Sequence, residues 1–375
     1  MIRVLAYSAG RSDISRWTPF IENLKNNNKI YLKFILSDSH FDKEFGYTYK
    51  IFKKIFANFK KKKHITQETT IQRINKDALE FDKITSNQKY DFVILLGDRF
   101  EILNIAYMAT LKNIPIIHIY GGAITTGAID NQIRNAVTKL SHFHLVACNL
   151  YRNRLIKMGE KGNRIKTIGI SSLNKMVKLK KNYTKVQLEK ILNIKFENKT
   201  SIITIHPVTL HPNESIDMVK NIFGVIKDLN LTAIFTYPNK DQGNKEIIKE
   251  INKFCLNNPK NTKFIKIFKD EVFPSLLNNI DIMIGNSSSG IVESASFKLP
   301  VINIGNRQSG KLIPKNVINS DNKYNNIKTK VKYGLSNVFK NKIRLIENPY
   351  QINTKTDISK ILIKLNKIDN ILIKS

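Results

Sequence analysis

Cysteine is scarce in this chain. It occurs only at 148 and 255, a separation that argues against a disulfide framework and makes a reducing compartment the expected setting. Long apolar runs are missing too, so no stretch approaches the length of a membrane span. Residues 1–7 read as a short strand entering a Gly-Arg turn, not as a signal peptide, and a cytoplasmic location is expected. No His/Cys spacing resembles a zinc site, and no repeat of solenoid period is visible. Acids are few: 30 Asp and Glu stand against 62 Lys and Arg, a formal charge of +32. Such a balance raises nucleic acid as a partner, or an anionic membrane or polyanion at Lys60 to Lys63 beside Phe56 and Phe59. The lysines are nevertheless spread from Lys25 to Lys374 and come with no nucleic-acid motif, so no nucleic-acid partner is expected. A basic background also favours an anionic small substrate.

What the chain does have is a recurrent pattern. Apolar runs bounded by Gly, Asp or Asn fall at residues 4–8, 31–36, 92–96, 114–119, 145–147, 202–205, 232–236, 263–267, 282–284 and 301–304. Amphipathic stretches separate most of them, for example 14–25, 71–85, 100–112, 129–141 and 216–228. Continuous apolar strands alternating with helical patterns predict an α/β protein with buried parallel sheets. Ten strands are too many for one comfortable small sheet. The expected organisation is a Rossmann-like domain over residues 1–170, a polar, lysine-rich connecting segment over 171–199, and a second Rossmann-like domain over 200–350. A last helix within 351–375 is expected to pack back on the first domain. In open α/β sheets ligands sit at the carboxyl ends of strands. Gly10-Arg11, Gly97-Asp98-Arg99, Gly121-Gly122, His206-Pro207 and Gly285-Asn286 all fall at such ends.

Residues 285–305 carry the most chemistry. An apolar run stops at Gly285-Asn286, three serines and Gly290 follow, a helix-compatible stretch carries Glu293, and a new apolar run starts at Pro300. A strand, turn and helix of this kind deliver backbone N–H groups and small hydroxyls to a diphosphate. A carboxylate one turn further in suits ribose hydroxyls. Taken alone, the serine cluster is equally an ordinary capped helix.

Nine segments in order resemble the hydrolysing UDP-N-acetylglucosamine 2-epimerase family, including relatives acting on diacetamido-trideoxy sugars. They are Gly10-Arg11-Ser12-Asp13, residues 44–48, Gly97-Asp98-Arg99-Phe100-Glu101, the His118 to Gly122 turn, residues 127–134, residues 136–142, His206-Pro207-Val208-Thr209, the Tyr237 to Gly243 turn, and Gly285 to Gly290 with Glu293, Arg307 and Gln308. The resemblance implies a GT-B architecture, two Rossmann-like domains with a UDP-sugar between them. It implies that Ser287 and Ser288, in the turn closed by Gly290, hold the diphosphate with Arg307 nearby. Glu293 is expected at the ribose, Lys245 near the nucleotide, and Arg11, Ser15 and Arg99 on the other wall. His206 is expected beside the sugar or diphosphate. Arginine at a phosphate and a carboxylate at a ribose both gain charge-assisted hydrogen bonds.

The chemistry implied is inversion at C2 with loss of the nucleotide, through elimination of UDP and rehydration, without cofactor or metal. UDP-N-acetylglucosamine would yield N-acetylmannosamine for sialic-acid-type synthesis. The alternative substrate, UDP-2,4-diacetamido-2,4,6-trideoxyglucose, would serve legionaminic acid synthesis. The residues between 124 and 127 look more like that diacetamido branch. Asp98, Asp130, His206 and Glu101 are the candidate acid/base groups. Three of them have a plainer reading: Asp98 as a helix cap, Asp130 with Arg134 as a surface i,i+4 pair, Glu101 as a solvent-facing acid. His142 and His144 read as structural and His211 as a loop residue. Relatives commonly carry an acid at the position of Tyr120, of Ala123, or of both; here neither is acidic. A GT-B glycosyltransferase and a nucleotide-sugar-binding protein with weakened catalysis are therefore the rival readings. The resemblance also suggests a homodimer or homotetramer.

Overall fold

Strands that are apolar on both faces need cover on both faces, and that requirement organises the chain. The computed structural model describes all residues except 11–12, 44–45, 61–67, 126–128, 209–211, 240, 242, 270, 353–356 and 375, and not the side chains of 212 and 213. Among the described residues two parallel six-stranded sheets form. The first contains β1 (Ile2–Ser8), β2 (Ile30–Leu36), β3 (Phe92–Leu96), β4 (Ile116–Ile119), β5 (Phe143–Val146) and β6 (Ile165–Thr167), in the order β2-β1-β3-β4-β5-β6. The second contains β7 (Thr200–Thr204), β8 (Thr232–Thr236), β9 (Thr262–Ile265), β10 (Ile282–Gly285), β11 (Val301–Ile304) and β12 (Val317–Ser320), in the order β12-β11-β10-β7-β8-β9. The strand order reverses between β1 and β3 and again between β7 and β10. At such a reversal successive connections leave in opposite directions, and a crevice opens at the carboxyl ends.

The chain divides into two compact units. One comprises Met1–Ala123, Asp130–Ser172 and Ile352–Ser375; the other comprises Ile124–Ile129 and Leu173–Gln351. In the first, Leu5, Tyr7 and Ala9 point into a core with Val93, Leu95, Ile102, Ile105 and Val137. Aromatic rings fill another part: Phe34 meets Phe52 at 4.8 Å and Phe56 at 5.6 Å, and Phe52 meets Phe59 at 5.8 Å. Phe56 and Phe59 are thus packing residues, while Lys61, Lys62 and Lys63 of the basic run lie outside the described residues. In the second unit the strands alternate with period two. Ile203, Ile205, Ile282, Ile284, Ile302 and Ile304 serve one core; Ile202, Met283 and Val301 serve another with Leu188 and Leu192.

Of residues 171–199, expected as a connecting segment, Ser171 and Ser172 fall in the first unit and 173–199 in the second. Thr184 and Gln187 close a capping box at the start of the helix Lys185–Leu192, which satisfies two otherwise orphaned N–H groups. Leu188, Leu192, Ile194 and Phe196 are buried in the core beyond it. The final helix runs only over Ile358–Leu365. It packs on the helix Ile14–Lys25, where Ser359 N–H donates to Asn23 Oδ1 at 2.9 Å. The tail beyond is pinned instead by side chains: Arg164 donates to the carbonyls of Ile371 and Ile373, and Lys374 reaches the buried carboxylate of Glu160 at 3.0 Å. Among the described residues no helix is long and apolar enough to cross a membrane.

Candidate functional site

The two topological switch points gather most of the chemistry, and each is described within its own unit.

In the first unit β1 ends at Ser8 and β3 at Leu96. Asp13 closes the turn after β1: its buried carboxylate accepts from Ala9 N–H at 2.8 Å and Gly10 N–H at 3.2 Å. Burial outweighs those bonds and the Arg16 and Arg99 charges, and lifts its pKa to about 6. After β3, Gly97 adopts φ +88° and turns the chain so that Asp98 and Arg99 emerge at the sheet's edge. Arg99, not Asp98, occupies the N-cap of the helix Phe100–Leu111, which removes the capping explanation for Asp98. Asp98 forms an ion pair with the guanidinium of Arg134, which also donates to Ala123 O at 2.6 Å. Arg134 is 1% exposed, so it is an internal strut and no surface pair. Asp130 begins the same helix, Asp130–Leu140. Glu101 is engaged by Arg99, with Nε to Oε2 at 3.3 Å, and does not simply face solvent. Ser15 is exposed in the first turn of its helix. Arg11 lies outside the described residues.

His118 and Tyr120 hold this edge in shape. The Gly97 carbonyl can only accept, so His118 Nε2 donates to it at 2.8 Å, and Nδ1 lies 3.2 Å from the Thr138 hydroxyl. Burial pushes the His118 pKa down to about 4, leaving a neutral strut beneath the turn that carries Asp98. Tyr120 takes φ +68°. Its hydroxyl lies 3.1 Å from Ser171 Oγ and accepts from Ser171 N–H at 3.2 Å, and burial raises its pKa. The ring is therefore a packing and anchoring group, unsuited to act as a base. His142 and His144 have structural partners: His142 Nδ1 accepts from Ile116 N–H, and His144 meets Glu160. His211 lies outside the described residues.

In the second unit β7 and β10 run side by side into their switch point. Gly285, with φ +134°, allows this approach; a Cβ there would stand 2.0 Å from the Thr204 carbonyl oxygen. Ser287 caps the following helix by accepting from Ser289 N–H at 3.3 Å. That helix, Ser288–Val292, has only five residues. Its macrodipole is correspondingly slight, so local N–H groups and hydroxyls carry any anion affinity. Ser288 is half-buried beside Ser287. Gly290 packs against the sheet, where a Cβ would stand 2.9 Å from Val301 Cγ1, and its N–H donates to the Ser287 carbonyl at 3.2 Å. Glu293 accepts from the Ser289 hydroxyl. Arg307 donates to the Asn286 carbonyl at 3.4 Å, and the buried Gln308 donates to it at 2.7 Å. His206 follows β7 and accepts at Nδ1 from Asn239 N–H at 3.1 Å. Lys245 is exposed at the start of the helix Asn244–Asn257.

The sequence places Asp13, His118 and Asn286 within the family-like segments but gives none of them a role. A signal existed for His118: a histidine inside the apolar strand Ile116–Ile119 has to be partnered. Asp13 and Asn286 are marked only by their place in a motif, which says nothing of what their side chains bind.

Comparison with known proteins identifies the family and the fold. Residues 22–362 match the UDP-N-acetylglucosamine 2-epimerase family. A GDP/UDP-N,N'-diacetylbacillosamine 2-epimerase (hydrolyzing) of Campylobacter jejuni is 34% identical over 85% of this chain and 84% of its own. A UDP-N,N'-diacetylbacillosamine 2-epimerase (hydrolyzing) of Legionella pneumophila is 31% identical over 90% of each chain. The UDP-N-acetylglucosamine 2-epimerase of Neisseria meningitidis is 30% identical over 87% of this chain and 86% of its own. Among solved structures, a UDP-GlcNAc 2-epimerase from Neisseria meningitidis bound to UDP-GlcNAc superposes with a TM-score of 0.81 at 19% identity, covering 97% of this chain and all of that one. The fold is therefore GT-B-like, and the chain belongs to the UDP-N-acetylglucosamine 2-epimerase family.

Proposed function

We propose that this chain is a hydrolysing UDP-sugar 2-epimerase that releases UDP and a free, 2-epimerised acetamido sugar. The observation that carries the reading is the placing of carboxylates and anion-binding groups at the switch points. Asp98 is paired with Arg134 in one unit, and in the other Asn286 ties together the segments that carry His206, Ser287 and Arg307. In this reading a base removes the C2 proton as the C1–O bond to UDP breaks, leaving a glycal. Water then supplies hydroxyl to C1 and a proton returns to the opposite face of C2. The C2 proton is weakly acidic, so stabilising the departing diphosphate supplies much of the driving force. Arg307, Ser287, Ser288 and His206 serve that end, Glu293 the ribose, and Lys245, Arg11, Ser15 and Arg99 the remaining contacts. Asp98, Asp130 and Glu101 divide the proton transfers, since Tyr120 and Ala123 do not supply the acids common in relatives.

Of the two substrates considered, we favour UDP-2,4-diacetamido-2,4,6-trideoxyglucose over UDP-N-acetylglucosamine. Two relatives at 34% and 31% identity carry the diacetylbacillosamine name, and residues 124–127 read as that branch. The product would then feed legionaminic acid synthesis, as N-acetylmannosamine would feed sialic acid. Two unpaired thiols, Cys148 and Cys255, fit a cytoplasmic enzyme. Proton NMR in D2O with each UDP-sugar tests the proposal. Free UDP with a 2-epimerised sugar deuterated at C2 is expected, faster for the diacetamido substrate. Intact substrate showing only saturation-transfer contacts would overturn it in favour of a binding protein.

We also read the chain as a homo-oligomer. The helices Thr70–Asn87 and Phe100–Leu111 pack side by side and leave Ile71, Leu79, Tyr107 and Leu111 more than half exposed. Of the charges beside them, Arg73, Lys76 and Lys83 are partly offset by Glu80 and Asp82, in a chain of net charge +32. Two strongly basic copies would meet with least repulsion on such a face.

A further inference from the structure

We infer that Asn286 is a positioning residue for His206, and that together with the Asn239 main chain it presents the imidazole as a neutral donor through Nε2–H. The inference rests on the reading that His206 faces the departing diphosphate. Asn286 is fully buried at the end of β10. Its carboxamide forms a reciprocal pair with the main chain of His206: His206 N–H donates to Oδ1 at 2.7 Å, and Nδ2–H donates to His206 O at 2.8 Å. Two bonds between planar partners leave the His206 backbone little freedom to rotate. The main chain of Asn286 is engaged as well. Its N–H donates to Thr204 O at 3.1 Å, and its carbonyl accepts from Gln308 Nε2 at 2.7 Å and Arg307 Nη1 at 3.4 Å. One residue thereby ties the segments that follow β7, β10 and β11, which carry His206, Ser287 and Arg307.

The tautomer follows from a second bond. Asn239 N–H can only donate, so His206 Nδ1, 3.1 Å away, is unprotonated, and the proton of the neutral ring sits on Nε2. A ring held this way gives a hydrogen bond to a phosphate oxygen. It has no lone pair at Nε2 with which to take a proton from carbon. His206 thus passes from the acid/base candidates to the diphosphate donors, and the C2 base is left to the carboxylates of the first unit.

The test uses the full chain labelled with 15N-histidine, with UDP as the probe. Two-bond 15N–1H correlation spectra report the tautomer of each neutral ring, and loss of one set in His206→Gln assigns the signal. The expected wild-type result is the Nε2–H form. Asn239→Pro removes the main-chain donor without touching Asn286; it should give a mixed tautomer and weaken UDP binding about tenfold. Asn286→Asp keeps Oδ1 but sets an oxygen against the His206 carbonyl. It should lower kcat about a hundredfold with little change in KM for the UDP-sugar, at a melting temperature that shows a folded protein. An Nδ1–H ring in the wild type overturns the inference, as does an Asn286→Asp variant with wild-type UDP affinity and kcat. If wild-type protein binds no UDP, the proposed function fails. The ring tautomer in wild type and in Asn239→Pro then still tests the neutral-donor half of the inference, and a change in the His206 ring signals in Asn286→Asp still tests the positioning half.

Discussion

Asp13 shows how one side chain can be placed against its own stability. Its carboxylate is 4% exposed and titrates near 6 instead of 3.8 because burial disfavours the charge. The folded protein therefore holds a proton there at pH values where the unfolded chain has released it. Stability from this group is present below about pH 4 and is lost as the pH rises through about 6, by as much as ~3 kcal/mol. Asp13→Asn, which does not titrate, should gain on the wild type by up to that amount between about pH 4 and pH 7, measured by urea unfolding. Parallel pH profiles for the two proteins would show that Asp13 is not the group responsible. Its position beside the β1 turn, with Arg16 and Arg99 acting on it, fits the tendency of perturbed groups to gather at functional sites. Tyr120 is held in the same way by its surroundings: burial raises its pKa, and its hydroxyl is engaged by Ser171.

Among the elements, the strand ends matter more than the strands. The apolar runs were legible because both faces of each sheet are covered, which writes near-continuous hydrophobicity into β3, β4 and β10. Two strands escaped notice, Ile165–Thr167 and Val317–Ser320. Both lie at sheet edges, where one flank is unpaired and solvent admits polar residues such as Lys166 and Asn319. Gly285 marks the opposite case, a single position where geometry is unforgiving. A methyl group would stand 2.0 Å from the Thr204 carbonyl oxygen on a φ of +134°. Gly285→Ala should therefore force β10 away from β7 and cost roughly 2–4 kcal/mol, seen as a drop in melting temperature. UDP affinity should fall with it, because His206 and Ser287 flank the displaced segment. Wild-type values of both would disprove the close approach.

For the whole molecule, charge and assembly are linked. A chain of +32 repels its own copies, and in the proposed oligomer the helices Thr70–Asn87 and Phe100–Leu111, with Ile71, Leu79, Tyr107 and Leu111 exposed, would form the contact. The pair Leu79→Glu and Tyr107→Glu should convert an oligomer to monomer in light scattering, with far-UV circular dichroism unchanged; a monomeric wild type, or variants of unchanged mass, would refute this face. Sequence alone determined the α/β class, the division into two Rossmann-like halves and the family, because buried parallel strands and short turn motifs are local patterns with local causes. The tertiary structure decided which side chains share a site and in what state. Arg134 joins Asp98 across 36 residues, Asn286 joins His206 across 80, and residues 173–199 belong to a core and not to a linker. Those outcomes depend on strand order and on burial, which set partners and pKa values through space and leave no trace in the spacing of residues along the chain.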